Sequence, residues 1–191
     1  MYTAIGATVE EDVSHVDIQF KPQPGGALAA DFRGGMSDAE IANLAWSAIH
    51  NIATFSAHCL KWARGNNISE DDVKAVADGS KALLRIRDLH NVEKHPDAAP
   101  NKSGDSPMLV DLCRPLEMIF GGSQPRVSLV LSQTGKVSVE GNARVVIHGR
   151  IINSKTGAFV TELRQLLDEG LKAWEAFLAA NGVSTIAQGA V

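Results

Sequence analysis

The sequence has few cysteines, few aromatic residues and no long apolar run. Its two cysteines, Cys59 and Cys113, stand in separate segments without the C-x-x-C spacing of a zinc or redox site, which excludes a disulfide scaffold. No stretch approaches the roughly 20 apolar residues that a membrane-spanning helix needs. The amino-terminal segment lacks the basic region and the apolar region of a secretion signal. We therefore expect a water-soluble, cytoplasmic protein with no part in a membrane.

An excess of positive charge is also missing. The chain has 18 Lys and Arg against 22 Asp and Glu, a net charge of −4, and no basic block. A protein that holds duplex DNA through its phosphates needs clustered positive charge, so duplex DNA is not an expected partner. The GxGxxG, P-loop, HExxH and GxSxG motifs are absent. The sequence consequently predicts no cofactor and lacks these four catalytic and nucleotide-binding signatures.

The 191 residues suffice for one domain of ordinary size. We predict an N-terminal extension over residues 1–36 with one strand, a single α+β domain over residues 37–182, and a loose tail over residues 183–191. The strand of the extension is expected at residues 16–20, where apolar and polar side chains alternate.

Two helix starts are recognisable after the extension. Ser37-Asp-Ala-Glu40 has the form of a capping box and predicts a helix that runs to about Arg64. Ser69 followed by three acidic residues predicts a second helix, which reaches His95 before Pro96. Together they predict an antiparallel helical hairpin.

In the rest of the chain the spacing of apolar residues first becomes that of strands and then becomes that of a helix again. Residues 108–152 predict a small antiparallel meander of about three strands, of which a long one has Val145, Ile147 and Ile151 on one face; Met108–Phe120 is an additional candidate strand. A C-terminal amphipathic helix follows and ends at Asn181-Gly182. The expected fold class is α+β, with the sheet packed on the helices.

The end of the second helix is rich in polar side chains that share one face. At about 100° per residue, five of them fall within a sector of roughly 120°; they are Arg87, Asp88, Asn91, Lys94 and His95. In one interpretation the two cations hold an anion such as phosphate, and His95 transfers a proton. In the other, these side chains neutralise one another and cap the helix end.

The first helix has polar residues that can face this cluster. Asn51 and His58 flank its apolar stripe and are expected to approach Asn91 or His95 in the hairpin. Four residues could also be combined into a metal site: His58, Cys59, His90 and His95. Their spacing is not diagnostic of a metal site, and we expect no metal.

Arg85-Ile-Arg-Asp-Leu-His90 resembles the R-x4-6-H motif of HEPN domains, helical and commonly dimeric proteins that include metal-independent ribonucleases. The resemblance implies that Arg85 stabilises the phosphate and that His90 is the general base. In a straight helix these two side chains leave roughly 140° apart and do not converge.

Residues 37–182 are similar to uncharacterised bacterial and phage proteins whose second helix ends in D-L-x-N-x-x-K-H, here Asp88 to His95. That likeness supplies no activity. We predict a non-catalytic interaction or assembly protein of bacterial or mobile-element origin, with a homodimer, a protein partner or RNA as the partners left open. The alternative is a HEPN-like, metal-independent ribonuclease that uses Arg85 or Arg87 with His90 or His95.

Overall fold

The computed structural model describes residues 10–13, 19–22, 28–31, 36–95, 101–113, 116–118, 128–131, 137–140 and 143–183. Four helices lie in these residues: α1 (Asp38–Gly65), α2 (Glu70–Gly79), α3 (Lys81–Lys94) and α4 (Leu163–Ala180). The strands described are β1 (Glu10–Val13), β2 (Gln19–Pro22), β3 (Leu28–Asp31), β4 (Pro107–Cys113), β5 (Leu116–Met118), β6 (Ser128–Leu131), β7 (Val137–Glu140), β8 (Ala143–Val146), β9 (His148–Asn153) and β10 (Phe159–Glu162). The predicted α+β class is confirmed.

The chain forms two compact units. One comprises Met1–Ala45 with Asp111–Gly149, and the other comprises Trp46–Val110 with Arg150–Val191. In the first unit β8 lies between β1 and β5. Two antiparallel pairs are also present: β2 pairs with β3, and β6 pairs with β7. A further sheet has the strand order β10-β9-β4. The predicted extension, domain and tail boundaries stay predictions.

Part of the expected N-terminal strand, residues 16–18, lies outside the described residues, and β2 begins at Gln19. The tail beyond residue 183 also lies outside them.

The capping box at the start of α1 is present as predicted. The Ser37 backbone N–H donates to the Glu40 carboxylate at 2.7 Å, and the Glu40 N–H donates to Ser37 Oγ at 3.3 Å. The backbone bond, with help from the Ser37 hydroxyl, lowers the pKa of Glu40. This reciprocal pairing satisfies backbone donors that the first turn of a helix leaves open, so α1 begins where the sequence indicated.

The helix expected from Ser69 to His95 is two helices, and that prediction was wrong at Ser80. The backbone of Ser80 is extended, with φ −91° and ψ 116°, and its N–H donates to the Val76 carbonyl at the end of α2. Its hydroxyl then accepts from the Leu83 N–H at the start of α3. Gly79 and Ser80 are both poor helix residues, and serine favours capping over a helix interior.

The β region differs from its prediction in three places. The long strand expected through Val145 to Ile151 is interrupted at Ile147, which lets the neighbours Val146 and Ile147 both be buried. A regular strand would turn one of them outward. Two strands, β4 and β5, replace the single candidate strand Met108–Phe120, and β4 begins one residue earlier, at Pro107. Strand β10 was not predicted because it runs directly into α4.

The core of the second unit forms around α4, which buries one face as expected of the predicted amphipathic helix. At Gly170 a Cβ would lie 2.6 Å from Ile86 Cδ1 and 3.4 Å from Ile52 Cγ2, so glycine allows close packing on α3 and α1. The ring of Trp174 packs edge-on against Phe55 and Phe177, with centroids 5.7 and 6.3 Å apart. These contacts fix the position of α3, which has the candidate functional residues.

Candidate functional site

Helix α3 holds its polar side chains in place by burying an apolar face. Ala82, Leu83, Ile86 and Leu89 are buried, at the spacing of one helical face. The helix ends at Lys94, and the backbone N–H of His95 donates to the Asn91 carbonyl at 2.7 Å. The polar residues between the apolar ones leave in several directions and enter different environments.

Asp88 is buried, with 1% of its surface exposed. One carboxylate oxygen accepts the Lys102 N–H at 3.0 Å, and the other accepts the Ser103 N–H at 2.7 Å. Hydrogen bonds to an ionised acceptor are roughly twice as strong as neutral ones. The carboxylate therefore holds the loop of residues 101–106, called here the Asp88 loop.

The Asp88 loop is also bonded within itself. Asn101 Oδ1 accepts the Ser106 N–H at 3.0 Å, and Asn101 Nδ2 donates to Ser106 Oγ at 2.9 Å. Ser103 Oγ accepts the Asp105 N–H at 3.3 Å. Gly104 has φ +78°, a conformation that glycine adopts without steric cost. These bonds give a short connection one fixed shape.

Two cationic side chains of α3 contact the carboxylate of Asp105 in this loop. Arg85 Nε donates to Asp105 Oδ2 at 2.6 Å, and Lys81 Nζ lies 3.3 Å from the same oxygen. Lys81 also donates to the Ser103 carbonyl. Burial would raise the pKa of Asp105, but the hydrogen bonds and charges of Arg85 and Lys81 outweigh it and hold that pKa below its usual value. The Arg85 guanidinium is therefore paired with a carboxylate of the same chain.

Arg87 pairs with a second carboxylate. Its terminal nitrogen donates to Asp78 Oδ1 at 2.9 Å, an ion pair that joins α3 to α2. Its Nε is buried without a hydrogen-bond partner in the part of the chain that the structure describes. Both arginines considered for binding a phosphate thus contact acidic side chains of this chain.

His90 contacts a residue that the sequence analysis did not select. Its Nε2 lies 3.0 Å from Nδ1 of His50 on α1, and the ring centroids are 4.8 Å apart with planes inclined at 70°. Burial, the charge of Lys94 and the nearby His50 lower the pKa of His90, against the smaller opposing effect of Glu93. The neutral imidazole is thereby favoured, with one ring nitrogen available as an acceptor.

The remaining predicted residues are exposed or half-buried. Lys94, His95, Asn51 and His58 are exposed, and Asn91 is half-buried. The His58 ring lies beside Phe55, with centroids 6.5 Å apart.

The four-residue metal set is not assembled. Cys59 is buried, and burial raises the pKa of its thiol to about 11, which disfavours the thiolate that binds metals. In the described ranges no three His, Cys, Asp or Glu side chains are grouped so that they could hold a metal ion.

Sequence reasoning missed His50 and Asp105. His50 lies on a second face of α1, away from its main apolar stripe, and Asp105 lies between the predicted elements. A usable signal was the series of Asn, Ser, Gly and Asp in residues 101–106, since such residues bond their own backbone and form ordered turns.

No protein-family model matches the chain, and neither a curated protein nor a solved structure is significantly similar to it. Within the described residues, no helix has the length and apolar character to cross a membrane.

Proposed function

We propose that this protein is a non-catalytic interaction or assembly protein, of bacterial or mobile-element origin and cytoplasmic, that pairs with a second copy of itself. The observation that supports this most is the exposure of Phe159, which has 58% of its surface in contact with solvent. Met108, at 38%, is the other large apolar side chain exposed in the described part of the chain. Aromatic residues and methionine are enriched at protein interfaces.

Phe159 and Met108 lie at the same end of one sheet. Phe159 opens β10 and pairs with Ile152 of β9, which is half-buried. The Ser154 N–H donates to the Ser106 carbonyl at 2.9 Å, which brings the start of β4 beside the end of β9. Three apolar residues on adjacent strands thus lie at one end of the sheet, called here the sheet-end patch: Met108, Ile152 and Phe159.

Two hydrogen-bonded connections flank the sheet-end patch. One is the Asp88 loop, and the other is the turn between β9 and β10, where Asn153 Oδ1 accepts the N–H groups of Lys155 and Thr156 at 2.9 and 3.0 Å. A surface that is already ordered loses little conformational entropy on binding. The hydrogen bonds that order both connections therefore favour a binding role for the sheet-end patch.

A second copy of the chain suits this patch better than RNA does. β10 is an outer strand of its sheet, and such a strand has backbone groups that a symmetric copy can pair with in antiparallel fashion. RNA would need positive charge, but Arg85, Arg87 and Lys81 are paired with acidic residues.

Sedimentation of the purified full chain tests this proposal. We expect a dimer at micromolar concentration for the wild type and a monomer for Phe159→Ser, with unchanged circular dichroism. Lys155→Ser, an exposed change in the adjacent turn, is the matched control and should remain dimeric. A monomeric wild type, or a Phe159→Ser variant that still dimerises, would overturn the self-assembly.

The metal-independent ribonuclease is retained as a second candidate because His90 has a second imidazole beside it. Two adjacent histidines can divide the roles of base and acid between them. RNA cleavage in excess EDTA should then be lost in folded His90→Ala and His50→Ala variants. The variants Arg85→Ala, Arg87→Ala and His95→Ala are assayed beside them. Absence of cleavage by the wild type would remove this candidate for the RNAs tested.

A further inference from the structure

The contact between His50 and His90 joins two helices that are each anchored independently. On α1 the neighbours Ile49 and Ile52 are buried, and on α3 Ile86 and Leu89 are buried. The two rings are thus brought together by the packing of the apolar core. A pair of ligands whose backbones are already in place needs little rearrangement to bind.

The orientation of the rings differs from that of a straight hydrogen bond. A ring nitrogen lies about 1.2 Å from the ring centre, so two rings joined by a straight N–H···N bond of about 3.0 Å would have centroids about 5.3 Å apart. The observed centroid separation is 4.8 Å at an N···N distance of 3.0 Å. The contact is therefore bent, so at least one ring nitrogen is turned away from the line that joins the two nitrogens.

A shared metal ion has the required geometry. Two imidazole nitrogens, each about 2.05 Å from one ion and about 3.0 Å from each other, would have ring centroids about 4.7 Å apart and subtend about 94° at the ion. The centroid separation calculated in this way is close to the observed 4.8 Å. An angle near 90° is the one found in square-planar and octahedral complexes.

We propose that His50 and His90 form a two-histidine site for a late first-row divalent metal ion, with Cu²⁺ or Ni²⁺ preferred. Imidazole suits these ions, and affinity rises along the series toward Cu²⁺. Two protein ligands leave the other coordination positions for water or for a ligand from solution. This site is independent of the proposed self-association and departs from the expectation of no metal.

Calorimetric titration of Ni²⁺ into the tag-free full chain tests the site. We expect one ion per chain for the wild type. Loss of outer-shell partners alone weakens metal sites roughly 10–100-fold, so removal of a direct ligand by His50→Ala or His90→Ala should weaken binding at least about tenfold. His58→Ala and His95→Ala alter exposed histidines of the same two segments and should change the affinity less than about twofold.

A spectroscopic readout keeps the proposal testable if a variant is less stable. In a Cys113→Ser background, which removes an exposed thiol that reacts with copper, Cu²⁺ electron paramagnetic resonance should show coupling to two imidazole nitrogens in the wild type and to one in either ligand variant. Absence of Ni²⁺ binding by the wild type, equal affinity in the ligand variants, or an equal loss in His58→Ala or His95→Ala would overturn the site.

Discussion

Asp88 and His90 leave the same helix two residues apart and enter opposite environments. The Asp88 carboxylate is 1% exposed and has both oxygens bonded to the backbone of the Asp88 loop. The His90 ring is half-buried and has another imidazole 3.0 Å away. The difference teaches that a helix dense in polar residues need not be one site. Its Asp88 side fixes the fold, and its His90 side retains nitrogens that can bind a ligand.

The largest effect should come from Asp88→Ala. The substitution leaves the N–H groups of Lys102 and Ser103 without their acceptor. Ser103 is buried, and an unsatisfied buried donor costs about 1–3 kcal/mol. We expect the free energy of unfolding to fall by about 3 kcal/mol in urea denaturation at pH 7.

Asp78→Ala is the matched control for this measurement. It removes an exposed carboxylate, 61% of whose side chain is in solvent, from an ion pair with Arg87. Surface pairs of this kind contribute at most about 1 kcal/mol. Equal losses in Asp78→Ala and Asp88→Ala would show that the Asp88 loop is not held by the Asp88 carboxylate.

A smaller, pH-dependent effect is expected at Asp105. Because Arg85 and Lys81 hold the pKa of Asp105 below its unfolded value, its carboxylate stabilises the fold above about pH 3.9, and this contribution is lost as pH falls through the folded pKa. Asp105→Asn should cost about 1.5 kcal/mol at pH 7 and progressively less below pH 4.

Urea midpoints of wild type and Asp105→Asn, compared at pH 7 and pH 3, measure this effect. The two curves should converge at the acid end. A difference that stays constant between the two pH values would mean that the ionised form of Asp105 contributes nothing, and the cations of α3 would then have no role in holding the loop.

The sequence predicted most of the helical part of the fold because helices carry local signals. The capping box at Ser37, the stop at Gly65 and the apolar face of α4 depend on residues three or four positions apart. The break at Ser80 was missed because a single extended residue separates the two helices. Strand β10 was missed because it runs directly into α4.

The candidate site was harder to predict because its contacts are distant in sequence. Asp88 was identified as a polar residue of interest, but its partners lie 14 and 15 residues further along the chain. His50 lies 40 residues before His90, on a helix whose orientation about its axis is set by the core. Helical periodicity assigns residues to a face of one helix; it does not say which residue of another helix that face meets.

The smallest effect on stability is expected where the proposed metal site lies. In excess EDTA, His50→Ala and His90→Ala remove one bent contact between partly exposed rings, so each should change the free energy of unfolding by about 0.5 kcal/mol. The double variant should match the single ones, because either change already breaks the pair. Urea denaturation, run beside Asp88→Ala, gives the comparison directly. A loss at His50 or His90 as large as that at Asp88 would mean that both sides of α3 serve the fold, and the pair would then be a structural clamp between α1 and α3.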